Sequence, residues 1–382
     1  MSLFNVYRPT AMYCADCESI DDYFFDVTHF WIFVPTVETF GKLANLCGSL
    51  QLKANQETSH CISCAVEQAQ LHKFLMSLNG ALETKELENT KVTTTESYQI
   101  PNLTEIGRMA TLAVLFNRFQ ARWLIESVEQ ERYESWYQPI INAKTKHVYA
   151  HEGLFRIKDE DNNIVPPALA FKLAEASDLL FSLDLVARRS AVECAAKARL
   201  EGKLFINFNP SSIYDPSYCL RATASSIYEI GIRPEDVVFE VTETHRATDL
   251  NQLKGILSFY RSAGFKVALD DIGSGWSGLN LLQSLRPDYV KIDMELVRDV
   301  HKDEYKQNIV TNLIRIARTN DIAVIAEGIE VEEEAQWLTD AHADYLQGYL
   351  YGKPEPVKTD MSYKEKEKIE ASLKPLDKAA KT

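Results

Sequence analysis

Polar residues stand at or near the ends of apolar, strand-like segments in the last two thirds of the chain. Segments such as KLFINF, VVFEVTE and FKVALD each carry an acidic or amide residue at this place. The set is mostly carboxylates, with one lysine and side-chain amides: Glu152, Asn207, Glu240, Asp270, Asp271, Lys291, Asp293, Glu327 and Gln347. Carboxylates brought together repel one another, and oxygen ligands suit Mg²⁺ or Mn²⁺. We therefore expect a site for hard divalent cations.

The residue types in this set also restrict the metal and the reaction. The set contains neither His nor Cys, which disfavours zinc. A pair of divalent cations suits phosphodiester hydrolysis, because the metals activate a water and neutralise charge on the phosphoryl oxygens. One acidic residue at a strand end is more often a helix N-cap or a solvated loop residue. The recurrence over several strands favours a shared site.

A glycine pattern suggests a different function. Residues 273–278 read G-x-G-x-x-G after the strand-like FKVAL, and Asp293 follows Gly273 by 20 positions. This spacing resembles a dinucleotide-binding turn. However, Asp270 and Asp271 stand where the chain would approach a pyrophosphate. We therefore reject a nicotinamide-dependent oxidoreductase and expect the glycines to let a loop leave the strand.

The elements that position these residues alternate from about residue 135 onward. Strand-like segments are WYQPII, VYAHEGLFRI, KLFINF, DVVFEVTE, FKVALD, DYVKID, IAVIAEGI and ADYLQGYL. Helix-like stretches lie at 167–178, 183–201, 249–263, 303–319 and 331–340. This alternation predicts an α/β fold, a TIM-like (β/α) barrel with a parallel sheet, and an open doubly wound sheet is the alternative. In a barrel the carboxyl ends of the strands share one face, so the polar residues would converge there.

The motifs of this region resemble those of the EAL-domain cyclic di-GMP phosphodiesterases, from about residue 136 to 356. YQPI matches the family's first strand, and HEGLFR stands where the family has E-A-L-x-R. INFNP, FEVTE, DDIGSGWSGL, YVKID, AEGIE and LQGYLYGKPEP match later blocks. The resemblance implies metal-dependent hydrolysis of cyclic di-GMP to linear pGpG.

The resemblance also implies a role for each matching residue. The implied metal ligands, for two Mg²⁺ or Mn²⁺ ions, are Glu152, Asn207, Glu240, Asp270, Asp271 and Glu327. Lys291 and Asp293, with Glu327, are implied to be catalytic through the attacking water. The implied substrate contacts are Gln138, Arg156, Gln347 and Pro354. Glu243 is implied to steady the loop after Asp271, and that loop links metal binding to a homodimer formed through the barrel.

The chain departs from the family signature at one position, where Gly153 replaces the alanine. Glycine in a strand costs roughly 0.5–1 kcal/mol. The ligand Glu152 remains, as do all the charged positions that the chemistry requires, so we expect an active enzyme. The alternative is a catalytically weak cyclic di-GMP receptor or scaffold that signals through a protein partner.

Residues 1–100 form a separate Cys-containing α+β module in this interpretation, and we expect it to regulate the barrel. Cys14-x-x-Cys17 and Cys61-x-x-Cys64 have zinc-like internal spacing. A structural Zn²⁺ site, a thiol redox sensor and buried cysteines without a special role all remain open. The polar, β-branched run KELENTKVTTTESYQIPN is expected to be a linker or a mobile hairpin.

The stretch that follows has an apolar stripe at helical spacing, formed by Ile106, Met109, Ala113, Phe116 and Trp123. Residues 101–134 are therefore predicted to be a connecting helix. The barrel is expected at 135–357, and a charged tail at 358–382.

Composition excludes several classes of partner. The formal net charge is −14, which disfavours general binding to nucleic acid polymers or anionic membranes. The sequence contains no apolar run of the roughly 18 residues that span a bilayer. The first residues lack the layout of a signal peptide. We therefore expect a cytoplasmic protein with reduced thiols.

Overall fold

The structure is a computed structural model, and it describes residues 23–210, 224, 227–242, 250–273 and 278–357. The chain divides into two units. The first contains residues 1–131 and 159–183, and the second contains residues 132–158 and 184–382.

An antiparallel sheet of five strands forms the centre of the first unit. Its strands are β1 (Val27–Phe33), β2 (Ala54–Thr58), β3 (Cys61–Glu67), β4 (Lys91–Thr95) and β5 (Ala110–Thr111), in the order β2-β3-β1-β4-β5. Helix α1 (Val37–Ser49) follows β1, and α2 (Gln68–Ala81) follows β3. This β-α-β-β-α-β order is the split β-α-β arrangement. Phe30, Leu43 and Phe74 are buried in the core between the sheet and these helices.

The first unit differs from the sequence prediction in two places. Residues 84–95 contain helix α3 (Thr84–Asn89) and β4, which pairs with β1. The β-branched run therefore forms an inner strand rather than a linker. Residues 101–134 form α4 (Leu103–Gly107), β5, α5 (Leu112–Gln120) and α6 (Arg122–Glu129), so the single connecting helix is wrong.

Capping residues explain why the apolar periodicity of this stretch does not give one helix. Asn102 caps α4 by accepting hydrogen bonds from the amides of Thr104 and Glu105, and Thr111 caps α5 through the amide of Val114. Each cap starts a new helix. The unit is completed by β8 (Ile164–Val165), α7 (Pro167–Ala176) and the start of α8 (Leu180–Lys197).

The second unit contains a closed barrel of eight strands. They are β6 (Tyr133–Asn142), β7 (Val148–Lys158), β9 (Lys203–Asn207), β10 (Val237–Thr242), β11 (Lys266–Ile272), β12 (Tyr289–Ile292), β13 (Ala323–Ala326) and β14 (Tyr345–Gln347). The order around the barrel is β6-β14-β13-β12-β11-β10-β9-β7, and pairing of β7 with β6 closes it. The predicted TIM-like barrel is confirmed.

Strand β6 runs antiparallel to both of its neighbours, while the other adjacent pairs are parallel. The expectation of a wholly parallel sheet is therefore wrong for this strand. Only residues 143–147 separate β6 from β7, and a parallel crossover needs about a dozen residues or more. As a consequence, the first half of β6 lies beside the carboxyl ends of the other strands, and Gln138 is paired with Glu152 on β7.

Helices follow most of the later strands, close to their predicted positions. They are α9 (Leu250–Ser262), α10 (Gly278–Leu285), α11 (Met294–Val297), α12 (Glu304–Thr319) and α13 (Glu332–Asp340). Single 3₁₀ turns occupy Pro234–Asp236 and Val300–Lys302, and a short strand, β15 (Glu355–Pro356), pairs with β6. Within the described ranges, none of the helices has both the length and the apolar character that crossing a membrane requires.

Candidate active site

The ammonium group of Lys291 stands at the centre of the carboxyl face of the barrel. Lys291 lies on β12, and its side chain is 1% exposed. Its Nζ is 2.7 Å from Glu327 Oε1, 2.8 Å from Glu240 Oε1, 3.2 Å from Asp270 Oδ1 and 3.3 Å from Glu152 Oε2. Strands β7, β10 and β11 and the end of β13 supply these carboxylates. The fold thus brings together residues that are far apart in sequence, as the strand-end pattern predicts.

Side-chain amides hold the carboxylate of Glu152 in place. Asn207 Nδ2 donates to Glu152 Oε1 at 3.0 Å, and Gln347 Nε2 donates to Glu152 Oε2 at 2.7 Å. Gln347 Nε2 also lies 3.2 Å from Gln138 Oε1, and Gln138 Nε2 donates to the carbonyl of Gly352 at 3.1 Å. The family resemblance implies that Gln138 and Gln347 contact the substrate, and the structure places both residues beside Glu152.

Asp270, Asp271 and Glu327 form a second cluster on this face. Each offers a carboxylate oxygen, and these oxygens lie within 4.8 Å of one another. Side chains of neighbouring strand residues normally point to opposite faces. Here the register of β11 with β12 shifts between Leu269 and Ile272, and Asp271 has a left-handed φ of 56°. This bulge turns both aspartates toward the same group.

Burial and the Lys291 charge shift the pKa values of the buried acids in different directions. Burial raises the pKa of Glu240, Asp270 and Glu327 despite the nearby Lys291 ammonium. Burial alone would also raise the pKa of Glu152. The charge of Lys291 and the hydrogen bonds from the two amides outweigh burial, so the pKa of Glu152 is lowered. Burial and the charge of Asp270 raise the pKa of Asp271 to about 6.

This group of residues fits divalent cations. When ionised, the four carboxylates around Lys291 would carry more negative charge than one ammonium neutralises. Glu240 is 0% exposed, and its Oε2 has no hydrogen-bond partner among the described residues. Buried oxygen ligands of this kind suit Mg²⁺ or Mn²⁺, and an ion would compensate the excess charge. Asn207, Asp271 and Glu327 are open or partly open to solvent, which gives an ion access.

The remaining predicted residues of the barrel occupy different places. Asp293 is the N-cap of α11, and its Oδ1 accepts from the amide of Glu295 at 2.8 Å. The guanidinium of Arg156 lies at the mouth, 5.0 Å from the centre of the Trp136 ring. Pro354 is partly exposed just before β15. Glu243 and residues 274–277 lie outside the described residues, so the loop contact of Glu243 stays a prediction.

Of the two cysteine pairs with zinc-like spacing, only Cys61 and Cys64 lie within the described residues. Cys14 and Cys17 lie outside them. Cys61 and Cys64 are three positions apart on β3, so their side chains point to opposite faces of the sheet. Cys64 instead lies in the core, where its thiol interacts with that of Cys47 on α1. The expected pairing of Cys61 with Cys64 on one ion is therefore corrected, because the CxxC spacing lies on a strand rather than in a turn.

A buried ion pair that the sequence patterns did not single out lies close to the turn after Asn207. Arg188 on α8 is 0% exposed, and its Nε lies 2.9 Å from Asp184 Oδ2. Asp184 Oδ1 accepts from the amide of Asn209 at 3.2 Å, and the Arg188 guanidinium lies 5.6 Å from the ring centre of Phe208. The pair thus holds the turn that follows Asn207. The i,i+4 spacing in DLVAR was the available signal.

Comparisons with known proteins agree with this geometry. The family model for the EAL domain matches residues 121–354. The chain is 33% identical over 228 residues to a probable cyclic di-GMP phosphodiesterase, PdeG, of Escherichia coli K12. The aligned region covers 57% of this chain and 44% of that protein. The chain is also 28% identical over 218 residues to the blue light- and temperature-regulated antirepressor BluF of the same organism. That alignment covers 57% of this chain and 53% of BluF.

A solved structure is similar over the same region. It is the crystal structure of a standalone versatile EAL protein from Vibrio cholerae O395 in its c-di-GMP-bound form, at 36% identity and a TM-score of 0.53. The match covers 58% of this chain and 92% of that one. The chain spans less than two thirds of the length of both E. coli relatives. Because the family model matches more than half of the sequence, and the barrel brings the family's acidic positions together, this chain belongs to the EAL domain family.

Proposed function

We propose that the protein hydrolyses cyclic di-GMP to linear pGpG with Mg²⁺ or Mn²⁺. The observation that carries this proposal is the convergence of Glu152, Glu240, Asp270 and Glu327 on the buried Lys291 ammonium. Supporting it are the name of the PdeG relative and the c-di-GMP-bound state of the V. cholerae structure.

Two overlapping sets of residues would hold the metals. Glu152, Asn207, Glu240 and Asp270 would bind one ion, and Asp270 would share the second ion with Asp271 and Glu327. The bound ions would supply a water of lowered pKa and neutralise charge on the phosphoryl oxygens. The short distances within the Asp270, Asp271 and Glu327 cluster support the second set.

The protein groups around the metals would orient the reactants. Lys291 Nζ would donate a hydrogen bond to the attacking water, and burial holds this ammonium in one position. Asp293 would support that arrangement, and Glu243 would steady the adjoining loop. Arg156 would contact a phosphate through its planar fork of donors. Gln138, Gln347 and Pro354 would hold the guanine bases.

The proposal extends to assembly and control. We propose a cytoplasmic homodimer formed through the barrel, with the N-terminal unit regulating hydrolysis. A structural Zn²⁺ in that unit would have to use residues other than the pair Cys61 and Cys64. A receptor or scaffold with little turnover is the second candidate, and the antirepressor name of the BluF relative favours keeping it.

One assay separates the two candidates. The purified full chain is incubated with cyclic di-GMP and either Mg²⁺ or Mn²⁺, and linear product is followed by chromatography. Glu152→Ala should abolish turnover, while the control Glu333→Ala, at an exposed position of α13, should not change it. Nucleotide binding without product under either metal would favour the receptor.

A further inference from the structure

We infer that Trp136 is a positioning residue that holds the guanidinium of Arg156 for phosphate binding. The inference rests on the proposed function, because it takes the cyclic dinucleotide as the ligand at the mouth of the barrel. Neither the strand-end pattern nor the family motifs single out Trp136.

The β6–β7 ladder places Trp136 next to the acidic cluster. Register pairs along this ladder are Gln138 with Glu152, Trp136 with Leu154, and Glu134 with Arg156. Alternate residues of a strand share a face, so Trp136 lies on the same face of β6 as Gln138. Arg156 shares a face of β7 with Glu152 in the same way. The ladder therefore continues beyond the carboxylates as a wall that carries an indole and a guanidinium, both partly exposed.

The Trp136 indole forms a hydrogen bond at its edge and a cation–π contact with Arg156 at its face. Trp136 Nε1 donates to Glu134 Oε1 at 2.9 Å, and the same oxygen lies 3.3 Å from Lys158 Nζ. The Arg156 guanidinium carbon lies 5.0 Å from the ring centre, within the range of a cation–π contact. These contacts form a chain from Lys158 through Glu134 and Trp136 to Arg156.

This arrangement keeps the charge of Arg156 available to an anion. Glu134 is the cross-strand neighbour of Arg156, yet its carboxylate binds Trp136 and Lys158 instead. Among the residues that the structure describes, Arg156 forms no ion pair within 4.0 Å, and its Nη1 donates to the backbone carbonyl of Phe155 at 2.9 Å. A partly buried guanidinium without a carboxylate partner suits a phosphate, whose oxygens match its fork of donors.

The geometry separates binding from the chemical step. Arg156 would lose one side of its support in Trp136→Ala, while the acidic cluster at Lys291 would keep its contacts. We therefore expect Trp136→Ala to raise KM by about fivefold with little change in kcat, because a cation–π contact at a partly exposed site is a modest interaction. Trp136→Phe keeps a ring face under the guanidinium and should restore most of the affinity.

A double-mutant cycle tests whether Trp136 acts through Arg156. Trp136→Ala, Arg156→Ala and the double variant are compared for KM and kcat, and for the dissociation constant of cyclic di-GMP in EDTA, where hydrolysis is arrested. Trp136→Ala should weaken binding in the wild-type background and add nothing in the Arg156→Ala background. Trp337→Ala, which truncates a partly exposed tryptophan on α13, is the control and should match the wild type. Thermal melts verify that each variant is folded.

The outcomes are distinguishable from failure of the proposed function. Equal weakening in both backgrounds, or no weakening in either, overturns the role of Trp136. If Trp136→Ala weakens nucleotide binding only when Arg156 is present, the role of Trp136 is supported. If no product forms in the same experiments, the proposed hydrolysis is contradicted. Absence of both binding and turnover in the wild type overturns both.

Discussion

Asp270 and Asp271 are adjacent in sequence, yet both present carboxylate oxygens to the same point near Glu327. The shift of register in β11 and the left-handed φ of Asp271, 56°, make this possible. Two residues after Asp271, Gly273 has a φ of 107°, and a Cβ there would clash with Leu296 Cδ1. A positive φ therefore occurs both at Asp271 and at Gly273, the first glycine of the G-x-G-x-x-G pattern.

Replacing Asp271 separates its charge from its backbone conformation. Asparagine tolerates the left-handed region, whereas alanine pays a steric cost of roughly 1–2 kcal/mol there. Both variants lose the carboxylate and should lose turnover. Asp271→Asn should have a free energy of unfolding about 1 kcal/mol greater than Asp271→Ala, measured by urea denaturation. Equal stability of the two variants would contradict a role for the left-handed conformation.

Divalent cations should stabilise the folded protein before any substrate is added. A ligand that binds only the native state at 100 times its dissociation constant adds about 2.7 kcal/mol. We expect Mn²⁺ or Mg²⁺ to raise Tm and EDTA to reverse the rise, as measured by calorimetry. Asp270→Asn, which removes a charge shared by both proposed metal sites, should reduce the rise. An equal rise in that variant would place the ions elsewhere.

Removing the Lys291 ammonium should leave the surrounding carboxylates buried without a cation. Breaking a buried pair costs about 3–5 kcal/mol, whereas an exposed pair contributes about 0–1 kcal/mol. Lys291→Met should therefore destabilise the protein in EDTA much more than Lys42→Met, which removes a Lys–Glu pair whose lysine side chain is 32% exposed. Both are measured by urea denaturation. Similar losses for the two variants would show that the Lys291 cluster is not charge-coupled as described.

Gly153, which stands where the family signature has alanine, lies against Ala191 on helix α8. A Cβ built on Gly153 would lie 3.0 Å from Ala191 Cβ, which is closer than most Cβ contacts in proteins. Gly153→Ala should therefore lower the free energy of unfolding by about 1 kcal/mol, because inserting a methyl into a packed core costs roughly 1–3 kcal/mol. Ala191→Gly made in the same chain should remove that strain.

The single variant Ala191→Gly is the control, because it measures the cost of a glycine in the helix by itself. Ala191→Gly alone should cost about 1 kcal/mol, because glycine weakens a helix interior. The double variant should then be more stable than the sum of the single changes predicts. Strict additivity in thermal and urea unfolding would show that Ala191 yields to the new methyl without strain.

The sequence predicted the barrel and the acid cluster because these depend on short, repeated patterns. Each strand-like segment of the cluster carries a polar residue within it or directly after it, and the barrel needs only the alternation of strands and helices to bring Glu152 and Glu327 to one face. Two features depended on contacts that no periodicity encodes. The direction of β6 depends on the short connection to β7, and the use of both Asp270 and Asp271 depends on a bulge.

The N-terminal unit was less predictable for a related reason. Zinc spacing was assigned to Cys61 and Cys64 from sequence distance, but a strand points such residues to opposite faces. The apolar stripe of residues 103–132 has helical spacing, yet the caps at Asn102 and Thr111 divide it. In both cases local spacing is compatible with more than one backbone, and the surrounding sheet selects between them.

The proposed function requires that the carboxylates around Lys291 serve phosphodiester hydrolysis. Its most direct test is the initial rate of linear pGpG formation from cyclic di-GMP in Mg²⁺ or Mn²⁺, with wild-type protein beside Glu152→Ala and Glu333→Ala. We expect product from the wild type and Glu333→Ala, and no product after EDTA is added. Glu152→Ala should reduce the rate at least a hundredfold, about the effect of removing a key catalytic interaction. Wild-type protein that binds the nucleotide without forming product, or an undiminished rate in Glu152→Ala, would contradict the proposed function.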